Sequence, residues 1–112
     1  MNKDPLFYLK HILESIERIE RFTKNYSKTD FLNDELLQSA VVRQIEIIGE
    51  AVKNIPPSFT KKYPQIPWEE IAGTRDKMIH HYFGVDYDLI FDIILLKDIP
   101  QLKQEINNIL KK

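Results

Sequence analysis

Cysteine is absent from this 112-residue chain, which excludes disulfides, thiolate catalysis and cysteine-based zinc sites. Glycine is scarce: there are three, and none stands in an Asn-Gly or Asp-Gly pair of the kind that closes tight hairpins. No Gly-rich phosphate loop and no Gly-x-Ser-x-Gly nucleophile turn occurs. No apolar run approaches the roughly 20 residues of a membrane span, and no basic-then-apolar leader opens the chain. The expectation is a cytoplasmic protein that does not enter a membrane. Charge of one sign is lacking too. Sixteen Lys and Arg against 17 Asp and Glu leave a net −1, which argues against a general nucleic-acid coat but not against a local basic groove.

What is present is ordinary globular material, 43% hydrophobic and 29% charged, enough for one core and one domain spanning residues 1–112. Long segments of 3.6-residue periodicity predict an all-α fold, a small up-and-down bundle of about five helices. Asp4-Pro5 opens the first, with a stripe of Leu6, Leu9, Ile12, Leu13, Ile16 and Ile19 or Glu20 running to about Thr23. Residues 25–34 read as a polar connection with Phe31 and Leu32 tucked back. Asn33 or Asp34 then caps a second long helix to Asn54, apolar over so much of its circumference that it is either the bundle centre or covered by a second subunit. Gly49 within it suggests a close backbone approach. A turn near 58–62 follows Pro56-Pro57, and Trp68–Tyr82 reads as one helix. Gly84 and Asp86 end that helix and start the next, carrying Leu89, Ile90, Ile93, Ile94 and Leu96. Asp98-Ile99-Pro100 restarts the last one.

The Trp68–Tyr82 segment concentrates the chemistry. Trp68, Ile71, Arg75, Met78 and Tyr82 would share one face, so an always-charged guanidinium sits in an apolar seam. Asp76 and His80 are spaced i, i+4, and Arg75 and His80 would lie about 140° apart around the helix, able to reach one groove. On the preceding helix Arg43, Glu46 and Glu50 form a polar edge. Its two readings are a solvated stripe with an Arg43–Glu46 pair, or an ion pair between Glu50 and Arg75. The histidines (His11, His80, His81) show no His-x-x-x-His or Glu-x-x-His spacing, so neither metal nor cofactor is expected.

Without a metal, an arginine, a carboxylate and a histidine can carry out RNA transesterification. Imidazole moves the proton of the ribose 2′-OH, and guanidinium binds the phosphate and offsets its developing charge. Such spacing also arises by chance, and a tyrosine at position 82 is as readily a core residue as a functional one.

Arg75-Asp-Lys-Met-Ile-His80-His-Tyr82 resembles the Arg-x4-His-x-Tyr signature of HepT-like proteins in the HEPN superfamily. Ile47-Ile-Gly-Glu-Ala51, Ile66-Pro-Trp68, Gly73 and Tyr82-Phe-Gly-Val-Asp86 agree with it in order, over nearly the whole chain. The resemblance implies a helical bundle that dimerises through its motif helices, possessing metal-independent endoribonuclease activity with Arg75 and His80 at the phosphate and Asp76 orienting His80. It also implies a toxin acting on RNA, tRNA in particular. The partner would be a minimal nucleotidyltransferase antitoxin of the MntA type that transfers AMP to Tyr82. The alternative is a non-catalytic dimeric helical partner of such a nucleotidyltransferase.

Overall fold

A computed structural model describes residues 4–80 and 84–111, apart from the side chain of His80. Helix α1 (Pro5–Thr23) begins where the sequence places it. The Asp4 carboxylate accepts from the Leu6 N–H at 2.9 Å, and Pro5 fills a first-turn position that needs no donor. Leu9, Ile12, Ser15, Ile16 and Ile19 form its buried stripe, while Leu6 stays exposed.

The expected polar connection contains a helix, α2 (Lys28–Leu32). Ser27 and Asp30 make a reciprocal capping box: the Asp30 N–H donates to Ser27 Oγ at 3.1 Å, and the Ser27 N–H donates to Asp30 Oδ2 at 2.9 Å. That one turn drives Phe31 fully into the core beside Tyr87 and Phe91, and leaves Leu32 outside. Asp34 then caps α3 (Glu35–Lys53), accepting from the Leu37 N–H at 3.0 Å. Helix α3 is the centre of the bundle: α1 packs along it, and two further short helices cross it. The short α4 (Pro57–Thr60) follows.

The single motif helix expected over Trp68–Tyr82 is not formed. It is split into α5 (Trp68–Ala72) and α6 (Thr74–Met78), and at Met78 the chain leaves the helical conformation. Two local causes are visible. Thr74 Oγ1 donates to the Ile71 and Glu70 carbonyls at 2.8 and 3.1 Å, and the Gly73 N–H donates to the Glu69 carbonyl, so α5's last acceptors are used up at the junction. Beyond Met78, strand β1 (Ile79–His80) pairs antiparallel with β2 (Gly84–Val85), Ile79 opposite Val85 and His80 opposite Gly84. Gly84 takes φ +75°, a conformation that suits glycine.

Asp86 caps the next helix, α7 (Tyr87–Leu89), accepting from the Leu89 N–H at 3.0 Å. The expected break at Asp98-Ile99-Pro100 is also absent. A single rod runs from α7 through a π-helical stretch (Ile90–Asp98) into α8 (Ile99–Leu110). Pro100 has no N–H to donate and its ring would strike the carbonyl four residues back; a wider turn relieves the clash. The Ile99 N–H accordingly donates to the carbonyl of Ile94, five residues back. Of the apolar residues expected inside, Ile90 and Ile94 are buried, whereas Ile93 and Leu96 are exposed.

The rod is tied to the rest by ion pairs. Lys28 Nζ lies 2.8 Å from Asp92 and 3.1 Å from Asp88, and Lys103 Nζ lies 2.9 Å from Glu20. The hydrogen bonds that the Lys28 ammonium donates to Asp92, then Asp88, push it above its ordinary pKa. Among the described residues the fold is all-α apart from the two-residue ladder, and no helix is long and apolar enough to cross a membrane.

Candidate functional site

Two helices bring the candidate residues together, and a glycine sets their distance. Where α3 crosses the α5–α6 junction, Gly49 faces the end of α5. A Cβ there would lie 3.3 Å from the Ile71 carbonyl oxygen and 3.5 Å from that of Ala72. The close approach expected from Gly49 is thus present, and it sets α6 directly against the polar edge of α3. Trp68 anchors the other end of α5: its ring is buried and Nε1 donates to the Tyr63 carbonyl at 3.0 Å.

Arg75 sits on α6 with its side chain 71% exposed, outside any apolar seam. The turn at Gly73 resets the helical register, so Trp68 and Met78 are buried while the arginine between them points to solvent. Its Nε is 3.7 Å from Glu46 Oε2 on α3. Glu50, the partner considered from the sequence, pairs instead with Lys53 at 3.2 Å. Both glutamates lie on the polar edge of α3, one turn apart, and the crossing point set by Gly49 selects the earlier one. An exposed pair of this type contributes about 0–1 kcal/mol to stability.

Asp76 is exposed on α6, and Lys77 reaches the other way to Asp98 at 3.4 Å. The backbone of His80 lies in β1, two residues beyond the end of α6. Ile79 has φ −104° and ψ 122°, so the i, i+4 relation expected between Asp76 and His80, and the angle around a helix between Arg75 and His80, do not apply. His81 and Tyr82, the latter the expected modification site, lie outside the described residues. So does the His80 side chain.

Behind α6, lined by Thr74 and Lys77 but not by Arg75, lies a mainly apolar cleft of about 80 Å³. Ile45, Ile48, Ile66, Ile71, Ile94 and Leu102 wall it, and Lys77 and Asp98 stand at its edge. Among the described residues no three His, Cys, Asp or Glu side chains gather into a group that could hold a metal ion. Glu46, read from the sequence only as part of the polar edge and a partner for Arg43, lies instead beside Arg75. The available signal was its place one turn before Gly49-Glu50, but the chain alone does not say which turn of α3 meets α6.

A family model described as ribonuclease HepT-like matches residues 12–109. A Methanocaldococcus jannaschii protein named for both gamma-glutamylcyclotransferase and RNase is 53% identical over 112 residues, all of this chain and 50% of that protein. A Caldanaerobacter subterraneus protein carrying an RNase name is 50% identical over 110 residues, covering 98% of this chain and 97% of its own. A Thermococcus cleftensis protein named as a ribonuclease HepT is 49% identical over 104 residues, 93% of this chain and 94% of its own. The chain therefore spans half the length of the first relative and nearly all of the other two. No solved structure matches it.

Proposed function

Because the chain belongs to the HepT-like ribonuclease family, we propose that it is a metal-independent RNA endonuclease with Arg75 and His80 at the scissile phosphate. The observation that carries this reading is the state of Arg75. It is an exposed guanidinium five residues before His80, with the Glu46 carboxylate 3.7 Å from its Nε and no other ion-pair partner among the described residues. An exposed, weakly paired guanidinium is free to meet an anion from solution.

In the proposed reaction neutral His80 takes the proton of the ribose 2′-OH as that oxygen attacks phosphorus. Arg75 offsets the charge gathering on the non-bridging oxygens. The imidazolium then returns the proton to the departing 5′ oxygen, leaving a 2′,3′-cyclic phosphate and a 5′-hydroxyl. The family resemblance assigns Asp76 to orienting His80, although the helical spacing that would have joined them is broken at Met78. The substrate class is RNA, tRNA foremost, and the protein acts as a homodimeric toxin restrained by a minimal nucleotidyltransferase antitoxin. That partner would transfer AMP from ATP to the Tyr82 phenol oxygen, releasing pyrophosphate. The new phosphodiester competes with RNA phosphate for Arg75.

Two sets of measurements test this. Arg75→Ala and His80→Ala should each cut RNA cleavage by about 10²-fold or more without unfolding the protein. Cleavage by the native chain should persist in EDTA, and its loss on chelation would overturn the metal-free mechanism. Tyr82→Phe should keep the nuclease active and block the gain of one AMP in intact mass on co-expression with the antitoxin. An AMP adduct surviving in that variant would move the modification elsewhere.

A further inference from the structure

We infer that Glu46 is a positioning residue: it fixes the direction of the Arg75 guanidinium so that its two terminal nitrogens face outward. This deepens the ribonuclease reading of Arg75 and rests on it for its functional consequence.

The geometry is asymmetric. The Glu46 carboxylate approaches Arg75 at Nε, 3.7 Å away, rather than at the end of the fork. The Glu46 side chain is 32% exposed and set back on α3, whereas that of Arg75 is 71% exposed. A guanidinium offers two edges for bidentate contact with an oxyanion, one including Nε and one made of the two terminal nitrogens. At 3.7 Å the carboxylate is a charge neighbour of Nε rather than a hydrogen-bond acceptor, so it biases the first edge toward α3 and leaves the second for phosphate. Other acids near Arg75 are placed differently: Glu50 is taken by Lys53, and Asp76, the next residue on α6, makes no ion pair with Arg75.

A stabilising role does not account for this pair. Exposed ion pairs add little to folding, and Arg75 is largely solvated. Orientation is another matter. A long side chain that samples many rotamers reaches a reactive geometry only part of the time, and small misplacements of a catalytic group cost rate far out of proportion to stability. Glu46 also sits one turn before Gly49, where α3 touches the end of α5, so its backbone position relative to α6 is fixed by close packing. A rigid element therefore carries the carboxylate.

The test uses the full chain with Glu46→Gln and Glu46→Asp. Glu46→Gln keeps the shape and removes the charge. It should lower kcat on an RNA oligonucleotide about ten- to a hundredfold with KM changed less than about threefold, and leave the melting temperature where it was. Glu46→Asp, which keeps a carboxylate, should recover part of the rate. A second readout needs no activity: the Arg75 Nε–Hε resonance in NMR should be ordered in the native protein and averaged in Glu46→Gln. An unchanged kcat in Glu46→Gln, or a resonance equally averaged in both proteins, would overturn the inference. If Glu46→Gln fails to fold, Glu46→Asp and the native resonance decide the matter. A native protein that cleaves no RNA would overturn the ribonuclease reading instead, with the NMR comparison still deciding what holds Arg75.

Discussion

Gly49 carries more of the site than its size suggests. Replacing it with alanine would improve the intrinsic helicity of α3 by about 1 kcal/mol. The added methyl would press on the carbonyls of Ile71 and Ala72, at 3.3 and 3.5 Å. These belong to the last turn of a five-residue helix, and Ile71 O also accepts from Thr74, so the end of α5 can yield only by moving the start of α6. The two effects should nearly cancel in stability, within about 1 kcal/mol, while RNA cleavage falls because Arg75 shifts. Denaturant unfolding paired with a cleavage assay would check this. A loss of several kcal/mol would show that α5 cannot yield. At this scale the sequence was informative about which residues matter and weaker on which of them meet. Arg75 stood out through its signature and Gly49 through its cost in a helix. Glu46 and Glu50 could not be told apart, because residues a turn apart on one face share every local property.

At the scale of elements, boundaries written in side-chain chemistry were legible, and those written in competition between neighbours were not. Asp4 and Asp86 cap as expected, and of the two candidates Asn33 and Asp34 it is Asp34 that caps. The capping box of α2 was available in the sequence at Ser27 and Asp30, hidden by the polar composition around it. The split of the motif helix was not legible: residues 68–82 keep a helical period throughout, and what interrupts it is the Thr74 hydroxyl and a ladder formed with Gly84–Val85. The π-helical stretch left a trace. Ile90, Ile94, Ile99, Leu102, Ile106 and Ile109 are buried at intervals of three and four residues, except for the five between Ile94 and Ile99. On an α-helix that interval would turn one of the two away from the core; one extra residue per turn keeps both inside. Deleting Lys97, which is exposed, together with Pro100→Ala, which removes the ring clash of a normal turn, should therefore be tolerated, since it would make the interval four. A one-residue deletion elsewhere in a helix rotates everything after it by about 100°. Circular dichroism and thermal unfolding should show a folded Pro100→Ala protein with Lys97 removed, and an unfolded one with Lys103 removed. Equal collapse of both would discard this account of the widened turn.

For the whole molecule, the all-α class and single core followed from periodicity and composition. The surface is where the expected association would have to act. Leu36 is 82% exposed at the start of α3, and Ala40, Arg43, Ile47 and Glu50 continue its line at heptad spacing. The dimer proposed above would cover this line together with the motif segment. Sedimentation at micromolar concentration should give a dimer that Leu36→Glu or Ile47→Glu weakens, and a native monomer would rule the assembly out. The ties that hold the long rod have an entropic meaning. Lys28–Asp92 and Glu20–Lys103 join residues 64 and 83 positions apart, so they close long loops, whereas α1 and α3 meet across a short connection. Long loops cost more entropy to close, so the contacts of the rod, its buried isoleucines as well as these ion pairs, form at a greater entropic cost than the α1–α3 pair. The apolar cleft behind α6, with Ile94 and Leu102 on its far side, is then a seam between the half joined by a short connection and the half joined across long loops. Each excursion of the rod would lay its isoleucines open to water while the α1–α3 pair stays shut.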